Sequence, residues 1–240
     1  MRKTITAVFY NEEYLLPWWL MHHKQYFDHG VLINYASTDN SVSIIKDICP
    51  TWEIVESRNK FFGAKEIDEE VMDIETRITG WKICLNITEF LVGDYSILDN
   101  TPKTGHVIPC CVMADNTPDT IPEYIIPLIK QKFNGIHYNE GASKIRRSRY
   151  IHNKTYYMYP LGRHIDQSFS TEQLVVLWYG YAPYNEQTIK RKLQIQNRIP
   201  VSDFQQGFGT QHKTNEDALK TIYQNYLPFC KDLSQELFMR

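Results

Sequence analysis

From Thr4 to Leu91 the chain alternates short β-branched, apolar runs with longer amphipathic segments, and this alternation narrows the fold more than any other feature of the sequence. Thr4 to Phe9 reads as a first strand, and polar Tyr10-Asn11-Glu12-Glu13 leads into Leu15, Trp19, His22 or His23 and Tyr26 at helical spacing. Val31 to Asn34 is a second strand, ended by the turn-rich Tyr35-Ala36-Ser37-Thr38-Asp39-Asn40. Val42, Ile45 and Ile48 mark a helix closed by Pro50, and Trp52 to Val55 is a third strand. Ala64 to Gly80 predicts the clearest helix, with Ile67, Val71, Ile74 and Ile78 on one stripe and a mostly acidic remainder expected to face water. The run Trp81 to Leu85 then reads as a buried strand that stops abruptly at Asn86, Thr88 and Glu89. This order predicts an α/β fold whose mostly parallel, Rossmann-like central sheet is built from right-handed crossovers and flanked by helices.

After Leu91 the alternation lapses. His106 to Met113 reads as a strand, Asp115 to Pro122 as a polar loop, and Glu123 to Phe133 as a helix kinked by Pro127. Tyr138 to Tyr159 is aromatic and basic with weak period-two character, and Leu174 to Tyr179 is a further strand. Asn185 is positioned to cap a helix running to about Asn197, and Asn215 one carrying Leu219, Ile222, Tyr223 and Tyr226. A chain of 240 residues suffices for one sizeable core. One domain over residues 1–240 is therefore expected, with a first half at 1–94 and a C-terminal α+β extension at 95–240.

With 22% charged residues and a net charge of −2, the chain has no global field for nucleic acid; any basic site is local, and a nucleic-acid patch at Lys144 to Arg149 is the minor option. No apolar run approaches the roughly 18 to 20 residues of a membrane span, and no signal-peptide core follows Met1-Arg2-Lys3. A cytoplasmic protein is expected, with peripheral membrane association left open. Cys49, Cys84, Cys110, Cys111 and Cys230 lack paired zinc spacing and read as reduced, mostly buried thiols, the adjacent pair on opposite faces of a strand.

The loops after the first, second and fourth strands fall at the sheet edge where open α/β folds bind ligands. Each carries polar residues at helix starts or turns. Asn11, Glu12 and Asp39 all suit helix initiation or capping on their own account.

The stretch from Trp81 through Asn86-Ile87-Thr88-Glu89-Phe90-Leu91 resembles the strand and Asp-x-Asp-Glu-Phe-Leu of nucleotide-sugar glycosyltransferases of family 2 and the related family 92 type, with both aspartates replaced. Tyr10-Asn11-Glu12 with the following Leu15, Leu16, Pro17 and Trp18 resembles the Asn-Glu segment of the same enzymes, and Ser37-Thr38-Asp39-Asn40-Ser41 their Ser-Thr-Asp loop. Tyr179, Tyr181, Pro183, Asn185, Glu186, then Lys190-Arg191-Lys192, Asp203 and Gly209 to His212, are similar in order to the tail of small family 2-like transferases. The stretch from Tyr95 to Tyr138 resembles nothing in these families.

The resemblance implies a GT-A fold and an inverting transfer of sugar from a nucleoside diphosphate sugar to a saccharide or lipid-linked acceptor in glycan assembly. It further implies donor binding by Tyr10, Asn11, Glu12, Asp39 and Lys65, and diphosphate contact by Asn86 and Thr88. A manganese or magnesium ion would sit at Glu89 and His212. Because hard cations prefer anionic oxygen and Asn86 and Thr88 are neutral, cations of the chain are the alternative neutralisers: Lys144, Arg146, Arg147, Arg149, His164, Lys190, Arg191 and Lys192. Inversion calls for a carboxylate base; no family motif supplies one, and Asp115, after a predicted strand, is the candidate, with Asp119 and Asp166 as alternatives. A degenerate protein that binds nucleotide sugar or glycan without turnover is the rival reading.

Overall fold

The four apolar runs of the first half form the parallel core of a mixed sheet. A computed structural model describes residues 1–140, 147–165 and 167–235. Strands β1 (Lys3–Phe9), β2 (His29–Asn34), β3 (Glu53–Glu56) and β4 (Trp81–Cys84) lie side by side, all parallel, in the order β3-β2-β1-β4. Helices α1 (Leu16–His23) and α2 (Ser41–Ile48) pack on one face, and α3 (Ala64–Glu75) on the other. The period-two pattern of β1 explains the layering: Ile5, Ala7 and Phe9 enter the core under α1, while Thr6 faces α3.

The remaining elements extend and cross this sheet. They are β5 (Glu89–Gly93), β6 (Gly105–Ala114), α4 (Leu128–Gln131), β7 (Asn134–Ile136), β8 (Ser148–His152), β9 (Leu174–Tyr181), α5 (Glu186–Gln194), α6 (Val201–Gln205), α7 (Glu216–Tyr226) and β10 (Lys231–Asp232). β8 lies antiparallel between β4 and β6. The long β6 changes partners midway: Gly105 to Pro109 pair with β8, and Cys110 to Ala114 with parallel β9. Pro109, which has no N–H for a ladder, stands at the changeover. β5 pairs antiparallel with β9, setting Glu89 opposite Trp178. The other edge of β5 is covered by α1, where Trp19 Nε1 donates to Glu89 O (2.9 Å) and His22 Nε2 to Leu91 O (2.7 Å). His23 Nε2 accepts from Leu91 N while its Nδ1 donates to Trp19 O, which fixes one neutral tautomer.

Three expectations are corrected. The acidic side of α3 is solvated only in part: Glu66, Glu69 and Asp73 are exposed, but Asp68, Glu70 and Glu75 are buried. Glu75 accepts from Thr6 Oγ1, Tyr159 Oη and His152, while Glu70 accepts from Tyr35 Oη, Ser57 Oγ, Asn59 Nδ2 and the Arg58 amide. The helix also stops at Glu75 rather than Gly80, because the buried Lys82 ammonium takes the carbonyls of Glu75 (2.9 Å) and Ile78 (2.6 Å). Gly80 turns the chain back at φ +87°, and a Cβ there would sit 2.3 Å from Arg2 O. The helix expected over Glu123 to Phe133 shrinks to Leu128–Gln131. Pro127 lacks a donor, and the carbonyls of Glu123 and Ile126 are taken by Trp18 Nε1 and Gln131 Nε2 instead.

The burial expected of the cysteines is found: Cys49, Cys84, Cys110 and Cys111 are buried and Cys230 partly so. No helix among the described residues is long and apolar enough to cross a membrane.

Candidate functional site

A cleft of about 690 Å³ opens where β1, β4 and β9 end and β8 begins, at the carboxyl edge of the parallel strands. Its lining includes Tyr10 and Glu12 after β1, Asn86 and Thr88 after β4, and Trp178, Gly180 and Tyr181 of β9. Arg147, Arg149, Arg163, His164, Arg191, Lys192 and His212 bring basic groups to it from the second half of the chain.

Strand periodicity organises the floor. Arg147 and Arg149 are two residues apart and so share one face at the start of β8, opposite the cross-strand pair Glu89 and Trp178. Arg149 takes the carboxylate: Nε donates to Glu89 Oε2 (2.8 Å) and Nη2 to Oε1 (2.6 Å), with each side chain 1–2% exposed. The Asn86 amide donates to the same carboxylate at 2.8 Å. Burial alone would push the Glu89 carboxyl up, but Arg149 and the Asn86 N–H outweigh it and hold it below its ordinary value. Arg147 takes the indole, its guanidinium 3.6 Å above the Trp178 ring. Gly180 permits this packing, because a Cβ there would lie 2.3 Å from the indole.

Two other guanidinium–carboxylate pairs flank the floor. Arg163 pairs with buried Asp68 of α3 and donates to Asn86 Oδ1 at 3.2 Å. Arg191 pairs with Glu12 at 2.5 Å, and burial pushes the Glu12 carboxyl up despite that partner. Among the described residues no carboxylate stands within ion-pairing distance of Arg147 or Lys192. The Lys192 ammonium lies 4.1 Å from the Tyr181 ring centroid and 5.4 Å from that of Trp178. Burial, then repulsion from Arg191 and Arg147, lowers it to about 7. His212 is lowered to about 4 by burial and by Lys192, Arg191 and Arg147. Burial and Arg149 bring His164 to about 3. Both imidazoles are therefore neutral near pH 7.

The expected residues divide into two groups. Tyr10, Glu12, Asn86, Thr88 and His212 meet in the cleft. Tyr10 lies under the Arg198 guanidinium at 4.2 Å, and Arg198 is itself tied to Tyr35 O and Lys60 O. Asn11 and Asp39 instead knit the first two loops together. Asn11 Oδ1 accepts from the Thr38 and Asp39 amides, and Asp39 accepts from the Glu13 and Ser41 amides. Lys65 is outside the cleft, 77% exposed and 3.8 Å from Glu69. Asp115 is also outside it, sealed against Lys132 (2.7 Å) and accepting from Thr117 N and Tyr184 N, which corrects its expected position at the reacting edge. Asp119 is exposed on the loop beyond it. Lys144, Arg146 and Asp166 lie outside the described residues, and Lys190 is exposed.

The donor set does not fit a divalent ion. Asn86 and Thr88 offer neutral groups, both oxygens of Glu89 are engaged by Arg149, and His212 faces cations. Among the described residues no three His, Cys, Asp or Glu side chains group as metal ligands. A metal at Glu89 and His212 is not shown.

Periodicity alone missed Asp68, Arg163 and Asp203. Asp203 of α6 accepts from Ala64 N (2.8 Å), capping α3 from 139 residues away. One signal was present in the sequence: Glu89, a lone acidic residue at the end of a buried apolar run beside neutral Asn86 and Thr88, needs only a single buried cation to balance it.

No family model matches the chain. No curated protein matches it either. Among solved structures, S. aureus TarS 1–349 is similar over 51% of this chain and 39% of that chain, at 14% identity and a TM-score of 0.35. Its complex with UDP-GlcNAc gives 14% identity and 0.34, over 51% and 37%. HddC from Yersinia pseudotuberculosis gives 10% identity and 0.42, over 79% of this chain and 99% of that chain. The match thus spans about two-fifths of the TarS chain.

Proposed function

We propose that this chain is a glycosyltransferase of the GT-A type that moves a sugar from a nucleoside diphosphate sugar to a saccharide or lipid-linked acceptor, with inversion. The observation that carries the reading is the cation-lined cleft at the carboxyl edge of β1 and β4. That edge is where open α/β sheets take nucleotides, and a diphosphate is the anion such a lining suits. In this reading residues 1–94 are the donor half and 95–240 the acceptor half of one domain. Tyr10 and Glu12 border the nucleoside, Asn11 and Asp39 brace their loop, and Asn86 and Thr88 meet the sugar phosphate. His212 closes the diphosphate end. The test is release of nucleoside diphosphate from a panel of nucleotide sugars, with and without saccharide acceptors. TarS has been crystallised with UDP-GlcNAc and with UDP, so UDP-GlcNAc heads the panel. Release from one donor, accelerated by an acceptor, is expected; absence of both release and nucleotide binding across the panel defeats the reading.

One observation favours a second reading. The cleft carboxylates Glu12, Asp68 and Asp203 are all engaged, by Arg191, Arg163 and the Ala64 amide. A protein that binds nucleotide sugar without turnover needs no free base. Saturable donor binding with no release in the same assay would select it.

A further inference from the structure

We propose that Arg147, Lys192 and His212, on the Trp178–Tyr181 platform, form a diphosphate site that works without a divalent metal, the Arg149–Glu89 pair standing where a metal–carboxylate pair would otherwise balance charge. This rests on the nucleotide-sugar reading for the identity of the natural ligand, though not for the anion site itself.

Three observations lead to it. The first is that Glu89 is fully committed: its two oxygens receive a bidentate guanidinium and a backbone amide, and it is 1% exposed. An incoming cation would have to displace Arg149 into a low-dielectric interior, which is the costly direction for a buried pair. The second is that the charge left over in the cleft is positive. Once the three guanidinium–carboxylate pairs are set aside, Arg147 and Lys192 remain without a counter-charge among the described residues, and the Arg147 Nε is buried with no hydrogen-bond partner. Arginine offers a fork suited to phosphate, and lysine a point charge.

The third observation is the way the cations are held. Arg147 lies over the Trp178 ring at 3.6 Å, and Lys192 lies over both Tyr181 and Trp178, so aromatic faces stand in for carboxylates. An aromatic face holds a cation in place without neutralising it. Burial and then repulsion among the cleft cations lower Lys192 and His212, and the repulsion is what an anion would relieve. A metal would add to that repulsion.

The experiment is calorimetric titration of inorganic pyrophosphate, UDP, GDP and dTDP into the full chain, in excess EDTA and again with manganese. It is repeated with Arg147→Ala and Lys192→Gln, each checked for an unchanged far-UV spectrum and melting temperature. Binding of pyrophosphate and of at least one nucleotide should be equal with and without manganese. Each variant should weaken it at least about tenfold, the size expected for one charge-assisted hydrogen bond. Binding only with manganese, or binding unchanged in both folded variants, overturns the proposal while leaving the transferase reading intact. Pyrophosphate bound in EDTA with no nucleotide bound supports the anion site and defeats the nucleotide-sugar reading. Silence from every ligand defeats both.

Discussion

Replacing Glu89 by Gln should be one of the most destabilising conservative changes in this protein. The carboxylate and the Arg149 guanidinium are 1–2% exposed and joined by two hydrogen bonds of 2.6 and 2.8 Å. Glu89→Gln leaves a buried guanidinium with neutral partners alone: the new amide oxygen, the carbonyls of Gly162 and Arg163, and His164 Nδ1. Arg149→Met leaves a buried carboxylate facing the Asn86 N–H. Breaking one side of such a pair costs about 3–5 kcal/mol, which for a chain of this size lowers the melting temperature by roughly 6 to 20 °C. The double variant removes both charges, so its cost should fall short of the sum of the singles by at least about 2 kcal/mol. Urea unfolding followed by circular dichroism at pH 7, on all four proteins, measures the cycle. Single-variant costs below about 1 kcal/mol that simply add would refute the pairing argument. The pH dependence follows with a definite sign. Because the Glu89 carboxyl is held below its ordinary value of 4.5, the stability it contributes is present above that pH and is lost as pH falls through the lower native value.

Other predictions concern the cleft and its surroundings. Anion binding favours charged Lys192, which titrates near 7 in the free protein, so pyrophosphate affinity should fall as pH rises through 7. Titrations at pH 8 in buffers of different ionisation enthalpy should show proton uptake, and their absence would exclude Lys192 from the site. Asp115→Asn should cost about 3 kcal/mol in urea unfolding by stranding buried Lys132, yet leave nucleotide affinity unchanged. Loss of turnover without loss of stability would restore Asp115 as a base. Gly180→Ala should push Trp178 off its seat and weaken pyrophosphate binding, since the added carbon would lie 2.3 Å from the indole; a variant with unaltered affinity would remove the platform from the argument.

The strand–helix alternation up to β4 was legible because it depends on local spacing: β1, α2 and α3 begin within a residue of where apolar periodicity puts them. What spacing could not reveal was which polar residues turn inward. Asp68, Glu70 and Glu75 look solvated on a helical projection, yet their partners Arg163, Tyr35 and Tyr159 lie 95, 35 and 84 residues away. The site was half legible for the same reason. Tyr10, Glu12, Asn86 and Thr88 follow from strand order alone, whereas Arg149 meets Glu89 across 60 residues through the pairing of β8 with β4 and β6. Lys65 rests on the family resemblance and Asp115 on its position after a strand end. Neither fixes where a side chain points once Glu69 or Lys132 is beside it.

The way α1 covers β5 also bears on how the protein behaves in company. A two-sided strand with one free edge is a template for another chain, and templated pairing is how sheets grow into aggregates. Here the outward carbonyls of Glu89 and Leu91 and the Leu91 amide are already occupied by an indole and two imidazoles. Those side chains recognise backbone as a neighbouring strand would, but they cannot pass the pattern on. The strand beneath the cleft thus remains an internal piece of one molecule.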